Sequence, residues 1–187
     1  HILTPAEKEL PLNLEYSFAE FGAGYGTGTM SAFGLQLAFA KLGAQLKGSC
    51  GFYTEQVAWK RDLIKHIHSY IAPHKQCHVF VNTADVSKPI LTTDADEILA
   101  ELPPHKLALF AIECDDVSTC STTAKSVVDP SGKSGSSFLE FLSYLKVLKF
   151  EDRPNGLMIE CVQNLHHVRK KVGGEQGTSV VANSLSE

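Results

Sequence analysis

Apolar and polar residues alternate over 13–21, NLEYSFAEF, with the two-residue period of a half-buried strand. The glycine-rich run GAGYGTG follows. TMSAFGLQLAFAKLG (29–43) then carries apolar residues at helical spacing, with a threonine available as a cap and Gly43 to close it. AQLKGSCGFYTE (44–55) reads as a second strand. QVAWKRDLIKHIHSYIA (56–72) reads as an amphipathic helix with Val57, Leu63, Ile64, Ile67, Tyr70 and Ile71 largely on one side. CHVFVN (77–82) is a third strand, and DADEILAEL (94–102) a short helix stopped by Pro103 and Pro104. The nearly unbroken apolar run KLALFAIEC (106–114) suits a central strand covered on both faces. A Ser-, Asp-, Thr- and Gly-rich loop runs to Ser137, followed by a helix over FLEFLSYLKVLKF (138–150) and a fifth strand over GLMIECV (156–162). Five strands alternating with four helices predict an α/β domain with a mostly parallel sheet and helices on both faces. The stretch 166–187 reads as a polar, flexible tail.

Composition narrows this little. The chain has 187 residues, 43% hydrophobic and 20% charged, which fits one globular domain. It opens on His1 and closes on polar sequence, so it reads as a piece of something longer. No basic-then-apolar leader and no apolar run of membrane-spanning length is present. The formal net charge of -4 gives no general attraction to nucleic acid, so any such binding rests on local basic patches. Cys50, Cys77, Cys114, Cys120 and Cys161 are an odd set without a CxxC, which argues against a disulfide framework or a closed zinc site. A reducing, intracellular setting follows as an expectation. His66 and His68, two apart on a helix, point away from each other and make no metal pair. SGKSGSS lacks the first glycine and the preceding strand of a P-loop.

Candidate chemistry gathers at the strand ends. Folds of this class bind ligands beyond the carboxyl ends of their strands, where the strand order reverses. The first such turn is Glu20-Phe21-Gly22-Ala23-Gly24-Tyr25-Gly26, whose glycines admit positive φ and close approach of a ligand. Glu55 closes the second strand, where an acid commonly accepts ribose hydroxyls, and Asp85 follows the third, within reach of a base ring. Each feature alone also serves as a plain loop or a helix cap. Their order at three successive strand ends describes an adenosine site. The glycine spacing fits G-x-G-x-G better than the dinucleotide pattern G-x-G-x-x-G.

Between about 14 and 165 the chain resembles the S-adenosylmethionine-dependent cytosine 5-methyltransferases of DNA. FAEFGAGYGTG is similar to their first motif, and Glu55 and Asp85 stand at their cofactor-binding acids. Glu113-Cys114-Asp115-Asp116-Val117-Ser118 falls where their nucleophile motif ends strand four. Glu160-Cys161-Val162, with Leu165 after it, falls at their Glu-Asn-Val motif, and SGKSGSSF resembles the end of their catalytic loop. The resemblance implies a Rossmann-like S-adenosylmethionine methyltransferase fold, incomplete at its C-terminus, over residues 1–165. It implies S-adenosylmethionine held by Glu20, Phe21, Gly22, Gly24, Gly26, Glu55 and Asp85, no metal, and DNA (or RNA) as partner. The setting would be the nucleus of a eukaryote or the cytoplasm of a bacterium.

The implied chemistry explains the residue types. Carbon 5 of cytosine is a poor nucleophile, so the Cys114 thiol first adds at the neighbouring ring carbon. Glu160 would hold the ring nitrogen and exocyclic amine of a base flipped from the helix, at an unstacking cost of about a few kcal/mol. Glu113 replaces the family's proline, Asp115 its glutamine and Cys161 its asparagine. Carboxylates beside a thiol raise its pKa. Two other readings stay open on that ground: a catalytically inactive binding or regulatory module, and a methyltransferase acting on RNA or a small molecule.

Overall fold

A computed structural model describes residues 13–113 and 125–161, together with 183 and 185. In chain order the elements are β1 (Asn13–Phe21), α1 (Thr27–Lys41), β2 (Gln45–Thr54), α2 (Ala58–Ile71) and β3 (His78–Phe80). A 3-10 turn, Thr83–Ser87, leads to the short strands β4 (Leu91–Thr92) and β5 (Ile98–Leu99). Then come β6 (Leu107–Ala111), α3 (Lys133–Val147), a second 3-10 turn over Phe150–Asp152, and β7 (Gly156–Glu160). The main sheet has the order β3-β2-β1-β6-β7, and its four pairings are all parallel. The α/β architecture read from the sequence is the one observed.

Alternation along the strands divides the core into two faces. Ala19, Phe21, Phe52, Phe80, Ala108 and Phe110 point toward α3 and pack against Phe138, Phe141 and Tyr144. Phe18, Cys50, Tyr53 and Val79 point to the other side, against Ala32 of α1 and Ile64 of α2. The α3 side is built from aromatic rings: Phe110 stacks on Phe141 at 4.3 Å between centroids, and Phe21 meets Phe52, Phe141 and Tyr144 edge-on or tilted. Such pairs add about 0.5–1.5 kcal/mol each beyond the area they bury. On the opposite side α1 and α2 cover β1, β2 and β3, while Leu107, Leu109 and Met158 of β6 and β7 line a cavity. Fully parallel sheets normally have both faces covered.

Several expectations need correcting. Residues 94–102 form no helix. Leu91–Thr92 and Ile98–Leu99 pair antiparallel, and Asp96 sits in the left-handed region (φ 57) of the connecting turn. The apolar spacing of Ile98, Leu99 and Leu102 mimics a helix, but Ile98 is 74% exposed. The turn is held by the Asp96 amide donating to the Thr93 carbonyl and the Thr93 amide to that of Glu97, a turn-plus-αL pattern common in short hairpins. Next, α3 begins at Lys133 rather than at 138. The Gly/Ser run is helical because its first turn packs tightly: Ser134 is buried, and a Cβ on Gly135 would overlap the Asp129 backbone. Finally, α1 is not capped by a threonine. Its cap position is Gly26, and Gly43 (φ 78) closes it as the pattern predicts.

On α2, Ile64 is buried as predicted, but Tyr70 is exposed and His68 is buried. In the predicted polar tail, Asn183 and Leu185 are described; both are helical, and Leu185 packs against the α3-side core.

Candidate functional site

The strand order reverses between β1 and β6, so the crevice beyond their carboxyl ends is the default ligand position. The glycine turn occupies one wall of it. Gly22 has φ 65, and a Cβ there would lie 2.9 Å from the Ala111 carbonyl oxygen at the end of β6. Both backbone sign and space therefore require glycine. The turn is stitched to the end of β2. The Gly22 amide donates to Thr54 Oγ1 (3.1 Å), the Ala23 amide to the Thr54 carbonyl (2.9 Å) and the Gly24 amide to Glu55 Oε2 (2.8 Å). Gly26 donates to the Ala23 carbonyl (2.8 Å) and precedes α1.

Glu20 lies just before this turn and is 4% exposed. Its Oε1 accepts the Gly28 amide (2.6 Å), and its Oε2 accepts the Thr29 amide (3.2 Å) and the Thr29 hydroxyl (2.8 Å). The positive end of the α1 dipole is thus satisfied by a carboxylate from within the protein. Burial raises the Glu20 pKa, and the bonds from Thr29 and Gly28 oppose that rise. Gly28 makes room for the arrangement: a Cβ there would lie 2.5 Å from Leu109 Cδ1 and 2.8 Å from Glu20 Cδ.

The two other predicted acids are engaged with backbone. Glu55, 7% exposed, accepts the Val57 amide through Oε1 (2.8 Å) as well as the Gly24 amide, so it ties the glycine turn to the start of α2. Asp85 sits in the 3-10 turn and forms a reciprocal capping box with Asn82, accepting the Asn82 amide at 2.9 Å. Lys88 also pairs with it. The Lys88 and Asn82 contacts overcome the effect of burial, which is its largest single influence, and hold the Asp85 pKa below the usual value.

A cavity of about 680 Å3 opens along the crevice and the adjoining sheet face. It brings together Glu20, Phe21, Gly22 and Gly24 with the exposed carboxylate of Glu160. Gly26, Glu55 and Asp85 do not line it. Glu160 is paired in register with Ala111, and its carbonyl accepts the Ile112 amide (3.0 Å), so β6 and β7 are neighbours whose ends lie together. Cys114, the predicted nucleophile, lies outside the described residues, as do Asp115, Asp116 and Ser118.

Sequence reasoning missed part of this lining. Met158, Leu109 and Tyr16 form its apolar floor, and Tyr25 stands at its side, 52% exposed. Tyr25 lies 5.6 Å, centroid to centroid, from the exposed Trp59 ring, and Lys60 Nζ sits 5.4 Å above the Tyr25 ring. The two-residue alternation of β1, which sets Tyr16 on the same face as Phe18 and Glu20, was the available signal for part of the floor. Among the described residues, no group of three or more His, Cys, Asp or Glu side chains could hold a metal ion, and no helix is long and apolar enough to cross a membrane. No protein-family model matches the chain, and no curated protein matches it.

Proposed function

We propose that the crevice binds S-adenosylmethionine and that the chain is the cofactor-binding part of an enzyme that methylates carbon 5 of cytosine in DNA. The observation that carries the reading is the position of Glu20. A dinucleotide or nucleoside phosphate uses the amides at the start of the first helix, and here those of Gly28 and Thr29 are given to Glu20. A phosphate brought to this point would meet a carboxyl group rather than open donors. A ligand that lacks phosphate and carries a positive centre suits the same wall. The cavity volume of about 680 Å3 lies within the range of roughly 300–1,000 Å3 common to small-molecule sites. When bound, S-adenosylmethionine supplies an electrophilic methyl group.

The remaining roles fall to this chain's side chains. Glu55 holds the glycine turn in place through Gly24. Glu160, which shares the cavity with Gly22 and Glu20, would hold the ring nitrogen and amine of a base. Cys114, three residues beyond Ala111 in the chain, is the nucleophile of this reading. The resemblance of motif order supports that assignment.

Calorimetric titration with S-adenosylhomocysteine tests the cofactor half. Saturable binding that is lost in Gly22→Val is expected; heats indistinguishable from buffer would overturn it. Incubation with 5-fluorocytosine DNA and S-adenosylmethionine tests the rest. A covalent adduct formed by the wild type and absent from Cys114→Ser supports cytosine chemistry. Cofactor binding without an adduct favours the second reading, a non-catalytic binding module, for which the acids flanking Cys114 argue.

A further inference from the structure

Behind the cavity wall a run of buried polar groups joins β1 to α2. Glu20 Oε2 meets the Thr29 hydroxyl at 2.8 Å, Thr29 Oγ1 meets the Tyr53 hydroxyl at 2.9 Å, and that hydroxyl meets His68 Nδ1 at 3.0 Å. At the far end His68 Nε2 lies 3.2 Å from the Lys75 carbonyl. Glu20, Thr29, Tyr53 and His68 are all buried, at 4%, 5%, 1% and 3% exposure.

The hydrogens can be counted. A carbonyl only accepts, so His68 Nε2 carries a proton in this contact. The three links from Glu20 to His68 Nδ1 need three hydrogens. The hydroxyls of Thr29 and Tyr53 supply one each. The third comes from one end, as a protonated Glu20 or a proton on His68 Nδ1. With both ends protonated, one hydroxyl hydrogen has no acceptor. With neither, two lone pairs face each other across a buried contact. A broken link of this kind in a dry interior leaves a desolvated group without its partner, so the complete arrangements are preferred.

We propose that Glu20 and His68 share a single proton through the Thr29 and Tyr53 hydroxyls, so that the charge state of the cavity carboxyl is coupled to a histidine on α2. The network has two complete arrangements. In one, Glu20 donates to Thr29, Thr29 to Tyr53 and Tyr53 to a neutral His68. In the other every donor is reversed, Glu20 is an anion and His68 a cation. No bond to carbon changes, and the proton count is the same in both.

The surroundings set which arrangement prevails. Burial raises the Glu20 pKa and lowers that of His68, so at both ends it acts toward the neutral pair, while the Thr29 and Gly28 bonds to Glu20 act toward the anion. The side chains of His78 on β3 and Lys75 after α2 push His68 further the same way, against the Lys75 carbonyl bond. On β2, Cys50 faces Glu20 and is kept as a thiol chiefly by burial. Cys77, before β3, is pushed up to about 12 by burial and is a neutral neighbour of Cys50 and Tyr53. A positive charge arriving in the cavity beside Glu20 would draw the carboxyl toward its anion and send the proton to His68. The coupling itself depends on no particular ligand.

Carbon-13 detection of the Glu20 carboxyl and nitrogen-15 detection of the His68 ring, across a pH titration of the ligand-free chain, test the proposal. Both signals are expected to move at each of the two macroscopic transitions, as for one coupled pair. In Tyr53→Phe each should respond at a single midpoint of its own. Thr29→Val should uncouple the pair and Thr29→Ser restore it, which separates a lost hydroxyl from a damaged fold. Independent single-midpoint curves in the wild type would overturn the proposal, as would curves unaltered by Thr29→Val. Because no ligand is present, this outcome is separate from that of the cofactor titration.

Discussion

The carboxylate of Glu55 receives the amide of Gly24 at 2.8 Å, so the tip of one strand holds the loop that leaves its neighbour. The same side chain receives the Val57 amide. Glu55→Ala strips partners from two backbone donors. It is expected to cost about 1–3 kcal/mol, read as a lower urea midpoint. Glu55→Gln keeps one acceptor oxygen and should lose less. Equal losses in the two variants would show that the bonds to Gly24 and Val57 contribute little.

Gly28 and Gly34 lie on the same helix and should respond oppositely to alanine. At Gly28 the new Cβ would press on Leu109 and on the Glu20 carboxyl, while at Gly34 nothing lies within 4 Å. Gly28→Ala is expected to destabilise by about 1–3 kcal/mol through overpacking. Gly34→Ala should stabilise by roughly 0.5–1 kcal/mol through helix propensity. Denaturant melts of the two proteins side by side decide it.

Gly135 offers a harsher case. The atoms a Cβ would strike are backbone atoms of Asp129, which cannot rotate away. Gly135→Ala should cost about 3 kcal/mol or more, at the upper end of overpacking effects. A melting temperature within a few degrees of wild type, on the order of a 1 kcal/mol change, would contradict the tight junction between α3 and the preceding turn.

Acid should weaken the fold through two histidines. His68 and His105 have pKa values lowered from 6.5, chiefly by burial. Each takes up a proton first in the unfolded chain. Their contribution is therefore complete above about pH 6.5 and is lost as pH falls toward the folded-state values. The slope reaches at most about 1.4 kcal/mol per pH unit for each group. Glu20 acts in the other sense: its raised pKa favours the folded state at low pH and the benefit fades as pH rises through that value. Urea midpoints that stay flat between about pH 7 and pH 5 would exclude a histidine effect larger than the opposing one of Glu20.

The sheet was legible because alternation is local. NLEYSFAEF became β1 residue for residue, and the apolar run around Ala108 and Phe110 became a central strand. The hairpin was hidden because Ile98, Leu99 and Leu102 are spaced as on a helix, and only the left-handed Asp96 betrays the turn. At the site, Glu20, Phe21, Gly22 and Gly24 line one cavity with Glu160, while Gly26, Glu55 and Asp85 lie outside it. The network behind Glu20 could not be read: Thr29, Tyr53 and His68 belong to three elements, the last of them forty-eight positions after Glu20, and their meeting depends on the packing of α1 and α2 on β2.

Trp59 is the chain's single tryptophan, and it stands outside both core clusters, more than half exposed and in contact with Tyr25. Its fluorescence therefore belongs to the mouth of the crevice and not to the interior. Emission should respond when a solute settles against Tyr25, while loss of the phenylalanine-rich core leaves it little changed. Near-ultraviolet dichroism of Tyr53 and Tyr144 is the signal that follows unfolding. One molecule thus carries two optical reporters, one for occupancy and one for integrity.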